Sequence, residues 1–132
     1  MSKTATPVRP LRIFVIENHE DTLDALTRYL VACGHSVVSS LTMEGALSAL
    51  PTAQIDVLIS DIGLTDGDGW ELLRRARLNP RIYTIAMSGF GQNSDRKKSV
   101  AAGYRKHLLK PFVPDDLDAL LAQASTELGK RS

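Results

Sequence analysis

The sequence predicts an α/β fold, a three-layer, doubly wound sheet of five parallel strands with helices on both faces. Three observations carry that expectation. Short apolar runs rich in branched residues alternate five times with helically spaced apolar patterns over about 120 residues. Parallel strands need crossovers long enough to hold a helix, and right-handed crossovers dominate, so repeated strand-helix pairs imply a covered parallel sheet. The 132 residues, 43% of them hydrophobic, supply the core of one domain without staples.

The elements follow in order. Residues 1–10 are polar and proline-bearing and read as a disordered tail. "LRIFVIE" (11–17) is too short for a helix and suits a strand buried on both faces. Leu23, Leu26, Leu30 and Cys33 then recur on one helical face, with Gly34 where a helix C-terminus favours glycine. "HSVVSSL" (35–41) precedes a helical "MEGALSAL" ended by Pro51, and "DVLIS" (56–60) precedes "WELLRRARL" across a glycine-rich loop. "YTIAMS" (83–88) precedes a polar helix near Asp95 to Ala102, and "KHLLK" (106–110) precedes the last helix. In that helix Pro114 suits the first position, Asp115 and Asp116 suit the positive end, and Leu117, Leu120, Leu121, Ala124 and Leu128 form one stripe. The domain is expected to span 11–129, with 130–132 as a short tail.

Bulk properties mainly exclude. Sixteen basic and fifteen acidic residues leave a formal charge of +1, which gives no reason to expect nucleic acid as the main partner. The single cysteine, Cys33, cannot form an internal disulfide and reads as a small core residue at the end of its helix. No apolar run approaches the roughly 18 residues of a membrane helix, so a soluble cytoplasmic protein is expected.

In parallel α/β sheets the functional crevice lies beyond the carboxyl ends of the strands. The residues placed there are Glu17 and Asn18, Asp61, Ser88 and Lys110. Asp56 begins its strand and belongs at the opposite end, while Asp66 and Asp68 lie in a loop where aspartate is common for turn reasons. A carboxylate, a second acid, a hydroxyl and a lysine at one edge make chemical sense if Asp61 accepts a phosphoryl group. An aspartate can act as nucleophile, but two anions approach one another only with cations present. Lys110 supplies one, and a magnesium ion held by carboxylates would supply another. Ser88 can donate to a phosphoryl oxygen, and Gly89 and Gly91 leave room for backbone approach and loop movement.

Four stretches, "FVIEN", "DVLISDIGLTDGDGWELL", "AMSGFG" and "GYRKHLLKPF", resemble the receiver domain of the two-component response-regulator family, in its order and spacing from Leu11 to about Leu128. The resemblance implies a flavodoxin-like (βα)5 fold with strand order 2-1-3-4-5. It implies Asp61 as phosphoacceptor, Lys110 as the phosphate-contacting lysine, Ser88 as the switch hydroxyl, and Glu17 and Asn18 at the metal-serving acidic pair. Gly63 matches the position whose backbone carbonyl completes the Mg2+ coordination. The implied donor is a phosphohistidine on a sensor histidine kinase or phosphotransfer protein, and a cis peptide is implied before Pro111.

Two departures stand out. Asn18 replaces the family's usual aspartate and brings no negative charge, so weaker magnesium binding is expected. His107 occupies the place of a mobile aromatic switch residue; it could pivot in that role, or be a partly exposed histidine on an edge strand. Arg96, Lys97, Lys98, Arg105 and Lys106 lie on the helix 4, strand 5, helix 5 face by which receivers usually meet downstream partners, although a solvated basic face is the commoner origin of such a run. Trp70 reads as packing, "DGDG" lacks the EF-hand acids, and His19 and His35 lack a metal-ligand pattern and read as ordinary loop residues.

The leading functional expectation is a phosphoacceptor signalling module, not an enzyme acting on external substrates, present as monomer or weak homodimer. Its rival is a receiver-fold interaction module that no longer needs phosphate. A phosphatase of the haloacid-dehalogenase type would want a second acid two residues past the nucleophile, where this chain has Gly63. With "GKRS" after the last helix, either a stand-alone regulator or a receiver from a hybrid kinase is expected.

Overall fold

The computed structural model describes residues 9–89 and 93–130, so Gly91, most of the N-terminal tail and the last two residues lie outside the described part. The elements are β1 (Arg12–Ile16), α1 (Glu20–Ala32), β2 (Ser36–Ser40), α2 (Met43–Ala49), β3 (Val57–Asp61), α3 (Gly69–Ala76), β4 (Tyr83–Ser88), α4 (Asn93–Ala102), β5 (Lys106–Leu109) and α5 (Pro114–Lys130). These five strands form one all-parallel sheet in the order β2-β1-β3-β4-β5, and a separate two-residue antiparallel pair, Gly63–Leu64 with Gly67–Asp68, follows β3. Strand order reverses beside β1, and the crevice expected from the sequence opens between the ends of β1 and β3.

Side-chain alternation divides the core. Ile13 and Val15 of β1 face one layer with Leu23, Leu30, Leu117 and Leu121. Phe14 and Ile16 face the other, with Leu58, Leu72 and Tyr104. β3 and β4 are buried along their whole length, and β1 from Ile13 onward, because both faces are covered, whereas β2 at the edge is half exposed.

Three local expectations are corrected. Cys33 is exposed, not core: the α1 stripe runs through Leu23, Leu26 and Leu30, and the helix ends at Ala32 before another inward position is reached. Asp66 and Asp68 act as caps and not simply as turn formers. Asp68 accepts from Glu71 N at 2.7 Å at the start of α3, and Asp66 accepts from Met43 N at 2.8 Å and Glu44 N at 2.9 Å at the start of α2. His35 is buried, and its Nδ1 accepts from Leu11 N at 3.0 Å, so burial, which lowers its pKa, keeps a neutral ring there. Among the other sequence features, Trp70 donates to Ser99 Oγ at 3.1 Å with the Lys98 ammonium 5.0 Å from its ring centre. Arg105 pairs with Glu127. The basic run is therefore partly engaged within the domain.

One glycine holds the site's backbone in place. At Gly69, the first residue of α3, an added Cβ would lie 2.7 Å from the Asp61 carbonyl oxygen and 3.2 Å from Tyr104 Oη. The same residue donates to Ile62 O at 2.8 Å and accepts from Tyr104 Oη at 2.7 Å. Gly69→Ala is expected to cost about 1–3 kcal/mol as an overpacking change against backbone. Urea denaturation should show this as a lower midpoint with unchanged slope.

Candidate functional site

Each predicted residue reaches the crevice because of where its strand stops. β1 and β3 run in register, Ile16 opposite Ser60, so Glu17 and Asp61 leave their strands side by side. Asp61 also pairs in register with Met87, which brings Ser88 to the same edge, and Ser88 pairs with Leu109, which delivers Lys110. The Lys110–Pro111 peptide is cis, as the resemblance implied.

The structure brings Glu17, Asn18, Asp61 and Lys110 into one cluster. Lys110 Nζ donates to Glu17 Oε1 at 2.5 Å and to Asp61 Oδ2 at 3.0 Å. Glu17 is fully buried and Asp61 is 6% exposed. With its amide nitrogen facing the acids, Asn18 donates to Glu17 Oε2 at 3.2 Å and to Asp61 Oδ2 at 3.1 Å. Gly63, exposed, begins a two-residue strand paired with Gly67–Asp68 and lies two positions past Asp61.

The electrostatics separate the two carboxylates. Burial raises the Asp61 pKa; Lys110 opposes this, the neighbouring Glu17 charge reinforces it, and the net direction is up. Burial also pushes Glu17 up, but hydrogen bonds from Lys110 and from the His19 backbone outweigh it, and its pKa is lowered. For Lys110, burial disfavours the charge and the two carboxylates more than restore it, so its pKa is raised. Glu17 is thus the firmly ionised member, while Asp61 carries a charge its surroundings only partly compensate.

Ser88 stands slightly apart. Its Oγ lies 2.6 Å from His107 Nε2, so the hydroxyl is held by the imidazole of the next strand. His107 is half-buried on edge strand β5, and both positions singled out as a switch are in direct contact. An open depression lined by Thr22, Gly89, Lys110, Pro111 and Phe112 gives the lysine access to solvent.

His19 was passed over in the sequence, yet it belongs to this cluster. Its Nδ1 is 3.0 Å from Glu17 Oε2, and its backbone N–H donates to the same oxygen at 2.9 Å. The donor atoms of Glu17, His19 and Asp61 all lie within 4.8 Å of one another. The signal was its contiguity with Glu17 and Asn18 at a strand end, which spacing rules for metal ligands do not reward.

A lysine thus bridges two buried acids at the carboxyl edge of a 2-1-3-4-5 sheet, and the family model for the response regulator receiver domain matches residues 13–122. The chain belongs to the response regulator receiver domain family. The receiver is 32% identical over 114 residues to an uncharacterized 14.6 kDa protein of Leptolyngbya boryana, covering 84% of this chain and 87% of that one. It is 30% identical over 112 residues to the KDP operon transcriptional regulatory protein KdpE of Escherichia coli, covering 85% of this chain and 50% of that protein. It thus spans about half the length of that regulator. A CheY-like response regulator receiver domain protein from Methanospirillum hungatei superimposes with a TM-score of 0.87 at 25% identity, over 93% of this chain and 99% of that chain. The receiver is accordingly a module of two-component signalling, and none of its described helices is long and apolar enough to cross a membrane.

Proposed function

We propose that the receiver accepts a phosphoryl group on Asp61 from a phosphohistidine of a sensor histidine kinase or phosphotransfer protein. The observation that carries this reading is the Lys110 ammonium bridging Asp61 and Glu17. In the transfer, an Asp61 carboxylate oxygen forms a P–O bond as the donor's P–N bond breaks, and the departing imidazole nitrogen takes up a proton. Lys110 releases part of its hold on the carboxylates and grips the phosphoryl oxygens, and Ser88 turns from His107 to donate to one of them.

A magnesium ion fits the donor set. Two buried carboxylates with an amide and a nearby backbone carbonyl are hard oxygen ligands, so Glu17, Asp61, Asn18 and Gly63 would hold it. When bound, the ion supplies positive charge to the phosphoryl oxygens. Asn18 gives this site one charge fewer than an acid would. Asn18→Asp is expected to tighten magnesium binding on the order of tenfold, or about 1.4 kcal/mol. Without metal the same variant should lower Tm, because a third carboxylate replaces an amide that donates to the other two. Isothermal titration and thermal denaturation with and without magnesium check both halves.

The switch follows from the same exchange of partners. Once Ser88 leaves His107, the imidazole loses its 2.6 Å partner and the α4, β5, α5 surface changes, altering affinity for a downstream protein. Phosphorylation-independent interaction gains no support from these contacts, since a module freed from phosphate has no chemical need for the buried lysine bridge. The test is intact-mass measurement after treatment with a small-molecule phosphodonor and magnesium. One phosphoryl addition to the wild type, absent from Asp61→Asn, supports the reading; no addition at saturating metal overturns it.

A further inference from the structure

We infer that His19 is an additional ligand of the cation site, through Nδ1, and that it shifts this receiver's preference from Mg2+ toward borderline dications such as Co2+ and Zn2+. The inference rests on the reading of Glu17, Asn18 and Asp61 as a cation site and adds a nitrogen donor to it.

The amide nitrogen of Asn18 marks the place. It lies 3.2 Å from Glu17 Oε2, 3.1 Å from Asp61 Oδ2 and 3.3 Å from His19 Nδ1. Two carboxylate oxygens and one imidazole nitrogen from three residues thus converge on one point, the place a cation takes once Nδ1 gives up its proton. Bound at about 2.1 Å, neighbouring ligand atoms of an octahedral ion lie about 3 Å apart. The 3.0 Å between His19 Nδ1 and Glu17 Oε2 already matches that spacing. The amide would then turn to present its oxygen.

The imidazole is accessible, and a metal ion would replace its present 3.0 Å contact with Glu17 Oε2. The His19 side chain is 70% exposed and makes no cap hydrogen bond at the start of α1. Coordination through Nδ1 requires the proton on Nε2, which solvent satisfies. In the present contact the ionised Glu17 only accepts, so Nδ1 carries the proton, and metal binding moves the ring to the Nε2–H tautomer. A nitrogen ligand changes the selectivity: imidazole suits Zn2+, Co2+ and their neighbours, whereas carboxylate, carbonyl and water suit Mg2+. The neutral amide at Asn18 weakens the site most for the ion that depends on charge alone, so the two residues act in the same direction.

The test is titration calorimetry of the full chain with Co2+ and, separately, Mg2+, on the wild type and His19→Gln, joined to pulsed electron paramagnetic resonance with Mn2+ as probe. The wild type is expected to bind Co2+ more tightly than Mg2+. His19→Gln should lose Co2+ affinity on the order of 10- to 100-fold, the range that loss of even a ligand's supporting partner costs, with Mg2+ affinity within about twofold. The Mn2+ spectrum should show coupling to a directly bound imidazole nitrogen that disappears in the variant. Thermal denaturation should leave His19→Gln close to the wild-type Tm, because the backbone N–H at position 19 still donates to Glu17 Oε2 and the Gln amide supplies a replacement donor. Unchanged Co2+ affinity in the variant, or no nitrogen coupling in the wild type, overturns the role of His19 while Mg2+ binding keeps the cation site intact. Failure of every ion to bind overturns the cation site and His19 together.

Discussion

Lys110→Met is expected to lose about 3 kcal/mol of folding stability and all measurable phosphoryl transfer to Asp61. The substitution keeps the length and most of the apolar stem of the side chain and removes only the ammonium, which holds Glu17 Oε1 at 2.5 Å and Asp61 Oδ2 at 3.0 Å. Two buried carboxylates then face each other without a cation, and breaking a buried pair on one side leaves exactly such an uncompensated charge. Some solvent contact at Lys110, 22% exposed, places the loss toward the lower end of the range for fully buried pairs. The pH dependence has a definite sign. Glu17 has a lowered folded pKa, so its stabilising contribution is present above its unfolded value and is lost as pH falls through the folded one. The gap between wild type and Lys110→Met should therefore be widest near neutrality and shrink on acidification. Urea denaturation over a pH series reads it directly.

Asp61→Asn should do the reverse to stability while also ending function. The Asp61 pKa is raised, by burial first and by the Glu17 charge in addition, so ionising it costs the folded state more than the unfolded one. For a raised carboxylate the favourable protonated state is complete below the unfolded pKa and is lost as pH rises through the folded pKa. At neutral pH the wild type bears that cost and the amide does not. Asp61→Asn is expected to raise Tm by roughly 3–5 °C, the shift that about 1 kcal/mol produces in a domain of this size, with the advantage fading toward low pH. The variant should accept no phosphoryl group. A gain in stability with a loss of function at one residue is what a site holding strained charge for its chemistry produces.

The sheet was legible because its signals are local. Buried parallel strands read as unbroken apolar runs, and "DVLIS" and "YTIAMS" became β3 and β4 to within a residue. Asp61 and Lys110 were legible because strand ends converge by topology alone, without any knowledge of side-chain direction. What the sequence concealed depends on distant neighbours. Asp66 looked like a turn residue because the helix it caps begins 23 positions earlier. Cys33 continued an apolar spacing, but the helix stopped before that spacing could place it inside. His35 resembled a loop histidine until the backbone of Leu11, 24 positions away, was seen to supply its partner. His19 carried no ligand pattern of its own, and only the fold brings it together with Asp61, 42 positions further along the chain, in one donor cluster.

The central claim, that the bridged acid at the end of β3 is the phosphoacceptor, is tested most directly by locating the adduct. Wild-type protein treated with a small phosphodonor and magnesium would be reduced with borohydride, which traps an acyl phosphate, and then digested and sequenced by mass spectrometry. A single modified position at Asp61, lost when the phosphorylated protein is first exposed to base, is the predicted result. A phosphoryl group on any other residue would contradict it.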